Sequence, residues 1–177
     1  MQFPPIKLLT QELLDEVAAS SRRSPRQRQN YNFHDLSEKV QRFVNVLQPG
    51  TYVRPHQHLR PPAVNGFEFF VVIQGELGIV IMNENGQILR SLRVSAAGPT
   101  RAVELPEGTI HTLVALAPDT VILEFKEGPY EVAADKDFLA GFPAEGTAEA
   151  RELVLIWEAE FNSWLMTDDW WLLTVDC

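Results

Sequence analysis

The chain has 177 residues, is 45% hydrophobic and 22% charged, and carries 10 Phe, 4 Trp and 3 Tyr; that fits one globular domain with a real core and excludes intrinsic disorder. The net charge of −9 comes wholly from one end: residues 127–177 hold 12 acidic and 2 basic side chains, residues 1–126 hold 12 and 13. An acidic end repels phosphate backbones, so nucleic acid is not an expected partner.

In chain order, Thr10 to about Ser20 has helical spacing, with Leu13, Leu14 and Val17 on one face and Thr10 as N-cap. The next segment, SSRRSPRQRQN, groups Arg22, Arg23, Arg26 and Arg28 around Pro25 without a hydrophobic period. It reads as a solvated loop, or as an anion-binding lip over a pocket. Eight β-type runs follow, separated by Pro, Gly and Asn: RFVNVL, TYVRPHQH, FEFFVVIQ, LGIVIM, ILRSLRV, RAVELP, IHTLVAL and TVILEFK. Asn83-Glu84-Asn85-Gly86 supplies a hairpin turn between the fourth and fifth. The pattern predicts an all-β sandwich or small barrel. FFVVI and LGIVIM scarcely alternate, so both faces of those strands are expected to be covered. From Thr147 the period turns helical again through Leu153, Trp157, Phe161, Trp164 and Leu165, with Glu152, Glu158 and Glu160 elsewhere on the helix. The closing MTDDWWLLTVDC, with Trp170 and Trp171, reads equally as a strand or a second short helix. The division expected is residues 1–40 as helix and basic loop, 41–130 as barrel and 131–177 as an extension packed on the barrel or on a partner subunit.

Cys177 is the lone cysteine, which rules out an intrachain disulfide and a cysteine-based zinc ribbon. The opening MQFPPIKLLTQELLDEV lacks the pattern of a signal peptide, and no apolar run approaches the roughly 18 residues of a membrane span. A cytoplasmic protein with no membrane partner is expected. The doubly apolar strands and the Trp-rich end suggest a homodimer.

The chemistry centres on histidine. His56 and His58 lie one residue apart in a predicted strand, so they share a face, together with Arg54 and Tyr52 if that strand is regular. Glu68 heads an otherwise apolar strand, where a carboxylate needs solvent or a positive partner. His111 follows the turn Pro106-Glu107-Gly108-Thr109-Ile110. Three imidazoles and one carboxylate from separate strands suit one divalent transition metal ion such as Fe, Mn, Ni or Zn, with two octahedral positions left open.

These residues fall in the pattern G-x5-H-x-H, then E-x6-G, then P-x-G-x2-H, which resembles the two motifs of the cupin superfamily. The resemblance implies a single antiparallel β-barrel, or jelly roll, with short N-terminal and C-terminal helical additions. It also implies His56, His58, Glu68 and His111 as metal ligands. Nine residues, LRPPAVNGF, separate His58 from Glu68, where the family has three or four. Thr100 and Ala115 stand where the family has Gly and Asn. A histidine-only triad with water, or with Glu76, is therefore the alternative to Glu68. A closer similarity spans roughly residues 22–146. There NYNFH, VQRFVNVLQPGTYVRPHQH, GELGIVIMNENGQI, RAVELPEGTIHTLVAL, TVILEFKEGPYEVAADKDF and FPAEG resemble the WbuC-type cupin-fold metalloproteins associated with bacterial surface-polysaccharide loci.

A divalent ion among neutral imidazoles and one carboxylate carries residual positive charge, which favours an anionic or polyhydroxylated small molecule. His34 and Lys126 are candidate catalytic acid–base groups; Arg54, Arg42 and Tyr52 are candidate ligand-binding groups. Glu124 shares the strand parity of Lys126, and Tyr130 reads as a packed turn aromatic. Three functions remain open: a metal-dependent isomerase, epimerase or oxygenase of a sugar or sugar acid; a metal-dependent binding or sensor module; and a metal-free barrel with a polar interior. No helix-turn-helix with a basic recognition face is present to support a transcription factor.

Overall fold

The computed structural model describes residues 6–130 and 136–162; Trp164, Leu165, Trp170, Trp171 and Cys177 lie outside the described residues. Helix α1 (Gln11–Arg23) begins where Thr10 Oγ1 accepts from the Leu13 N–H at 3.2 Å, and Arg22 and Arg23 occupy its last turn, complementing the helix dipole. Among the described residues ten strands follow, β1 (Arg28–Asn32), β2 (Val40–Leu47), β3 (His56–Gln57), β4 (Glu68–Gln74), β5 (Glu76–Met82), β6 (Ile88–Ser95), β7 (Ala102–Leu105), β8 (His111–Ala115), β9 (Thr120–Glu127) and β10 (Asp137–Phe138), and then helix α2 (Ala148–Asn162).

The strands form two five-stranded sheets of antiparallel pairs, ordered β1-β2-β9-β4-β7 and β10-β3-β8-β5-β6. Only β1–β2 and β5–β6 are sequential hairpins within one sheet; every other strand-to-strand connection crosses between sheets, the jelly-roll arrangement. The β5–β6 turn has the predicted chemistry: Gly86 takes φ +77°, and the Asn83 side chain accepts from the N–H groups of Asn85 and Gln87.

Each sheet has its own helical cover. Leu14, Val17 and Ala18 of α1 pack with Val44, Val46 and Val121 outside the first sheet. Val154, Trp157 and Phe161 of α2 pack with Val80, Met82 and Val114 outside the second. Gly78 lets α2 approach, since a Cβ there would lie 2.5 Å from the Phe161 ring. This explains the unbroken apolar character of β5; β4 instead alternates in burial, with Phe69 and Val71 only half covered.

Two segments differ from the sequence expectation. Part of the basic stretch read as a loop is β1, an edge strand paired with β2. Within the C-terminal extension, β10 pairs with β3 and so belongs to the sheet. Between the sheets, strands change character along their length. Leu47, Val72, Leu113 and Ile122 fill an apolar half, while Gln41, Glu68, His111 and Lys126, on the same four strands, are buried in a polar half.

Candidate metal centre

His56 and His111 are Cα partners across the β3–β8 pair, and His58 follows two residues after His56, so the sheet register brings three imidazoles together. Donor atoms of His56, His58 and Glu68 all lie within 4.8 Å of one another. His111 joins them through Glu68. Its Nε2 is 3.1 Å from Glu68 Oε2, while His58 Nε2 is 3.0 Å from Glu68 Oε1. The His111 ring centre is 4.6 Å from that of His56 and 6.2 Å from that of His58. All four side chains are buried.

Proton placement makes this cluster unusual. His56 Nδ1 lies 2.9 Å from Arg54 O, and His111 Nδ1 lies 3.0 Å from Thr109 O. A carbonyl oxygen only accepts, so both Nδ1 atoms carry a proton, and wherever a ring is neutral its Nε2 is a bare lone pair turned into the cluster. With that ring neutral, His111 Nε2 faces a carboxylate oxygen at 3.1 Å, acceptor against acceptor. Neither atom has a hydrogen bond among the described residues. Such a contact is repulsive unless a cation or an added proton lies between. Burial holds His56 well below the usual histidine range, with Lys136 and His111 adding to the effect, so that ring is neutral. For Glu68, burial pushes the carboxyl up, while an N–H or positive charge at His111 and His58 outweighs it and holds the group well below the usual range, so an ionised Glu68 requires a proton or a cation on its histidine side. An ionised carboxylate and a neutral imidazole, each buried, with bare atoms turned inward, fit a divalent ion.

The long insertion before Glu68 is pinned rather than loose. Glu107 accepts from the N–H groups of Arg60 (2.7 Å) and Gly66 (3.1 Å), Asp137 from Leu59 N and Glu127 from Asn65 N. Gly66 is required here: a Cβ would sit 2.7 Å from His58 O and 2.8 Å from Glu107 Cγ. These ties return the chain in time for Glu68 to reach the histidines. Glu76, the alternative carboxylate, pairs instead with Arg93, whose other nitrogen donates to Phe161 O at the end of α2.

The cluster opens into a cavity of about 430 Å³ whose walls include His34, Gln41, Asn45, Glu124 and Lys126. Lys126 Nζ lies 3.8 Å from Glu124 Oε1 and 5.6 Å from the centre of the Phe43 ring. Asn45 Nδ2 donates to Glu124 Oε2 at 2.7 Å. Burial, reinforced by the nearby Glu68 charge, pushes the Glu124 carboxyl up to about 8. His34 Nδ1 lies 2.9 Å from both the N–H and the C=O of Arg42, so this ring ties down the backbone while lining the cavity. Tyr130 also lines it. Arg26 and Arg28 stand at the cavity wall but are ion-paired with Glu145, and Arg22 is held by Asp119.

Three expected ligand-binding groups lie elsewhere. Arg42 is on the outer face of β2, paired with Glu38 at 2.6 Å, because Gln41, Phe43 and Asn45 take the inward parity. Tyr52 stacks on Trp157 at 5.7 Å and donates to Pro143 O, against α2. Arg54 lies over the Phe138 ring at 5.0 Å and donates to Leu139 O. The common face expected for residues 52, 54, 56 and 58 fails because regular pairing in β3 begins only at His56, after Pro55: Val53, not Tyr52, belongs to the interior core. Gln41, Asn45 and Glu124 are cavity groups that the motif pattern does not point to.

Residues 9–94 match a family model described as a domain of unknown function, DUF6016. No curated protein matches the sequence. Among solved structures, the chain is similar to the capsular polysaccharide assembling protein CapF from Staphylococcus aureus, at 21% identity over 63% of this chain and 29% of that chain, with a TM-score of 0.51. It is similar to KdgF from Halomonas sp. at 23% identity over 62% and 84%, TM-score 0.46. A cupin superfamily protein from Desulfitobacterium hafniense matches at 15% identity over 56% and 76%, TM-score 0.43. The matched region therefore spans less than a third of CapF. Together with the sheet order, the similarity to CapF supports the antiparallel jelly-roll fold that the cupin resemblance implies.

Proposed function

We propose that this protein binds one divalent transition metal ion through His56, His58, Glu68 and His111, and uses the adjoining cavity for an anionic or polyhydroxylated small molecule, a sugar or sugar-acid derivative. The observation that carries this reading is the convergence of four buried side chains, with donor atoms of His56, His58 and Glu68 within 4.8 Å of one another and His111 Nε2 3.1 Å from Glu68 Oε2. A bound divalent ion supplies Lewis acidity toward a chelating carboxylate, carbonyl or hydroxyl oxygen. The chain's own groups do the rest. Imidazole Nδ1 donation to Arg54 O and Thr109 O fixes the ring planes. Lys126 offers a positive charge to the ligand, and Glu124, with its raised carboxyl, holds or releases a proton near neutral pH. His34, at the wall, is the second proton-handling candidate. This set suits isomerase, epimerase or oxygenase chemistry. The similarity to CapF, a capsular polysaccharide assembling protein, supports a saccharide setting.

Metal analysis of the purified protein tests the reading. The wild type is expected to hold about one equivalent of a divalent transition metal per chain, and His111→Ala less than about a tenth. Lys126→Ala and His34→Ala are expected to keep the metal while losing ligand binding or turnover. A wild-type protein that stays metal-free when offered Fe, Mn, Ni and Zn rejects the reading.

A further inference from the structure

Gln41 is 1% exposed and lines the cavity, and its Nε2 is buried with no hydrogen-bond partner among the described residues. An unmet buried donor is costly, and native proteins rarely keep one without a use for it. A glutamine seven residues on shows what a structural one looks like. Just past the end of β2, Gln48 Nε2 donates to Ser21 Oγ at 2.7 Å and Asp119 Oδ1 at 2.6 Å, and its Oε1 accepts from Asp119 N at 3.1 Å. Asn45, two inward positions from Gln41, also has its amide engaged, on Glu124.

Register gives Gln41 its neighbours. It is the Cα partner of Lys126, and Lys126 is the partner of Glu68. Three buried polar side chains thus form one rank across β2, β9 and β4, running inward-facing from the metal cluster to the far wall. At the usual inter-strand spacing the rank spans about 10 Å.

We propose that Gln41 is a ligand-reading residue. Its carboxamide N–H donates to a distal hydroxyl or ring oxygen of a hexose-sized sugar acid, whose carboxylate lies beside Lys126 and the His/Glu cluster. The inference rests on the metal-dependent pocket proposed above and narrows its ligand to acids long enough to touch both ends of the rank. A short hydroxy acid reaches the cluster but not Gln41.

Calorimetric titration of the protein as purified, with glucuronate, galacturonate, gluconate and glycolate as probes, tests this. The wild type is expected to bind at least one of the three sugar acids more tightly than glycolate. Gln41→Met and Gln41→Leu, which remove the unmet amide without adding charge, are each expected to weaken that acid at least tenfold. Both are expected to leave metal content and glycolate affinity unchanged, and Gln41→Met is expected to melt no lower than wild type. Sugar-acid affinity unchanged in either variant, equal losses for glycolate, a melting temperature that falls with affinity, or no sugar acid bound by the wild type overturns the assignment. Full metal content with binding indifferent to Gln41 defeats this inference alone. Binding that depends on Gln41 in a protein that takes up no metal defeats the metal reading alone.

Discussion

Glu68 is the residue on which the site turns, because it touches two imidazoles at once, through Oε1 and Oε2. Buried carboxylates survive only with compensating charge. In the proposed holo protein that charge is the metal; without it, a proton must take its place. Glu68→Gln removes the charge and keeps the shape. The metal-free protein is therefore expected to tolerate it with little change in melting temperature, since a buried charge has been replaced by a neutral group. Addition of metal is expected to raise the melting temperature of the wild type and leave Glu68→Gln unmoved. Thermal melts with and without added metal check this; an equal rise in both proteins contradicts it. The histidines were legible in the sequence because strand alternation and a turn place them directly. Gln41 was not, and for a physical reason: Val44 and Val46 look like core residues, but their core is the contact with α1. The parity that a simple reading assigns to solvent is the one that faces the cavity.

Among the elements, α1 is held by more than its apolar face. Arg22 donates Nε and Nη2 to Asp119 at 2.9 and 2.6 Å, and Gln48 donates to the same carboxylate. Asp119 takes φ +52° in the turn before β9. The Arg22 guanidinium, then Gln48, pulls the Asp119 carboxyl below its usual range. Its contribution to stability is therefore present above the unfolded value, about 4, and is lost as pH falls through the folded value. Asp119→Asn keeps a residue type that tolerates positive φ. It is expected to lower the melting temperature by about 2–4 °C at pH 7, with the gap to wild type closing as pH drops below about 4. A gap that is constant or wider in acid contradicts this. Most strands were readable from alternation and turn residues, and α1 from its cap and apolar face. β1 escaped because RQNYN is polar and exposed over most of its length, its pairing supplied by the edge of β2 rather than by burial.

At the scale of the whole molecule, the barrel is divided along its axis rather than between inside and outside. β2, β4, β8 and β9 each run from an apolar residue at one end to a polar, buried one at the other. Two outer helices supply much of the remaining apolar packing; the polar half of the interior is thereby released from a stabilising role and is available to hold an ion and a ligand. No helix among the described residues is long and apolar enough to cross a membrane. The charge asymmetry noted in the sequence bears on long-range fields, whereas the site depends on local ones: Glu124 and Lys126 lie 3.8 Å apart in a common low-dielectric space. The most direct measurement is anomalous X-ray diffraction from metal-loaded crystals, collected across the absorption edge of the metal. A peak about 2.0–2.2 Å from a nitrogen each of His56, His58 and His111 and from a Glu68 oxygen is the predicted result; a map of metal-loaded crystals with no peak there, and His111 bonded to Glu68 through a proton, is the contradictory one.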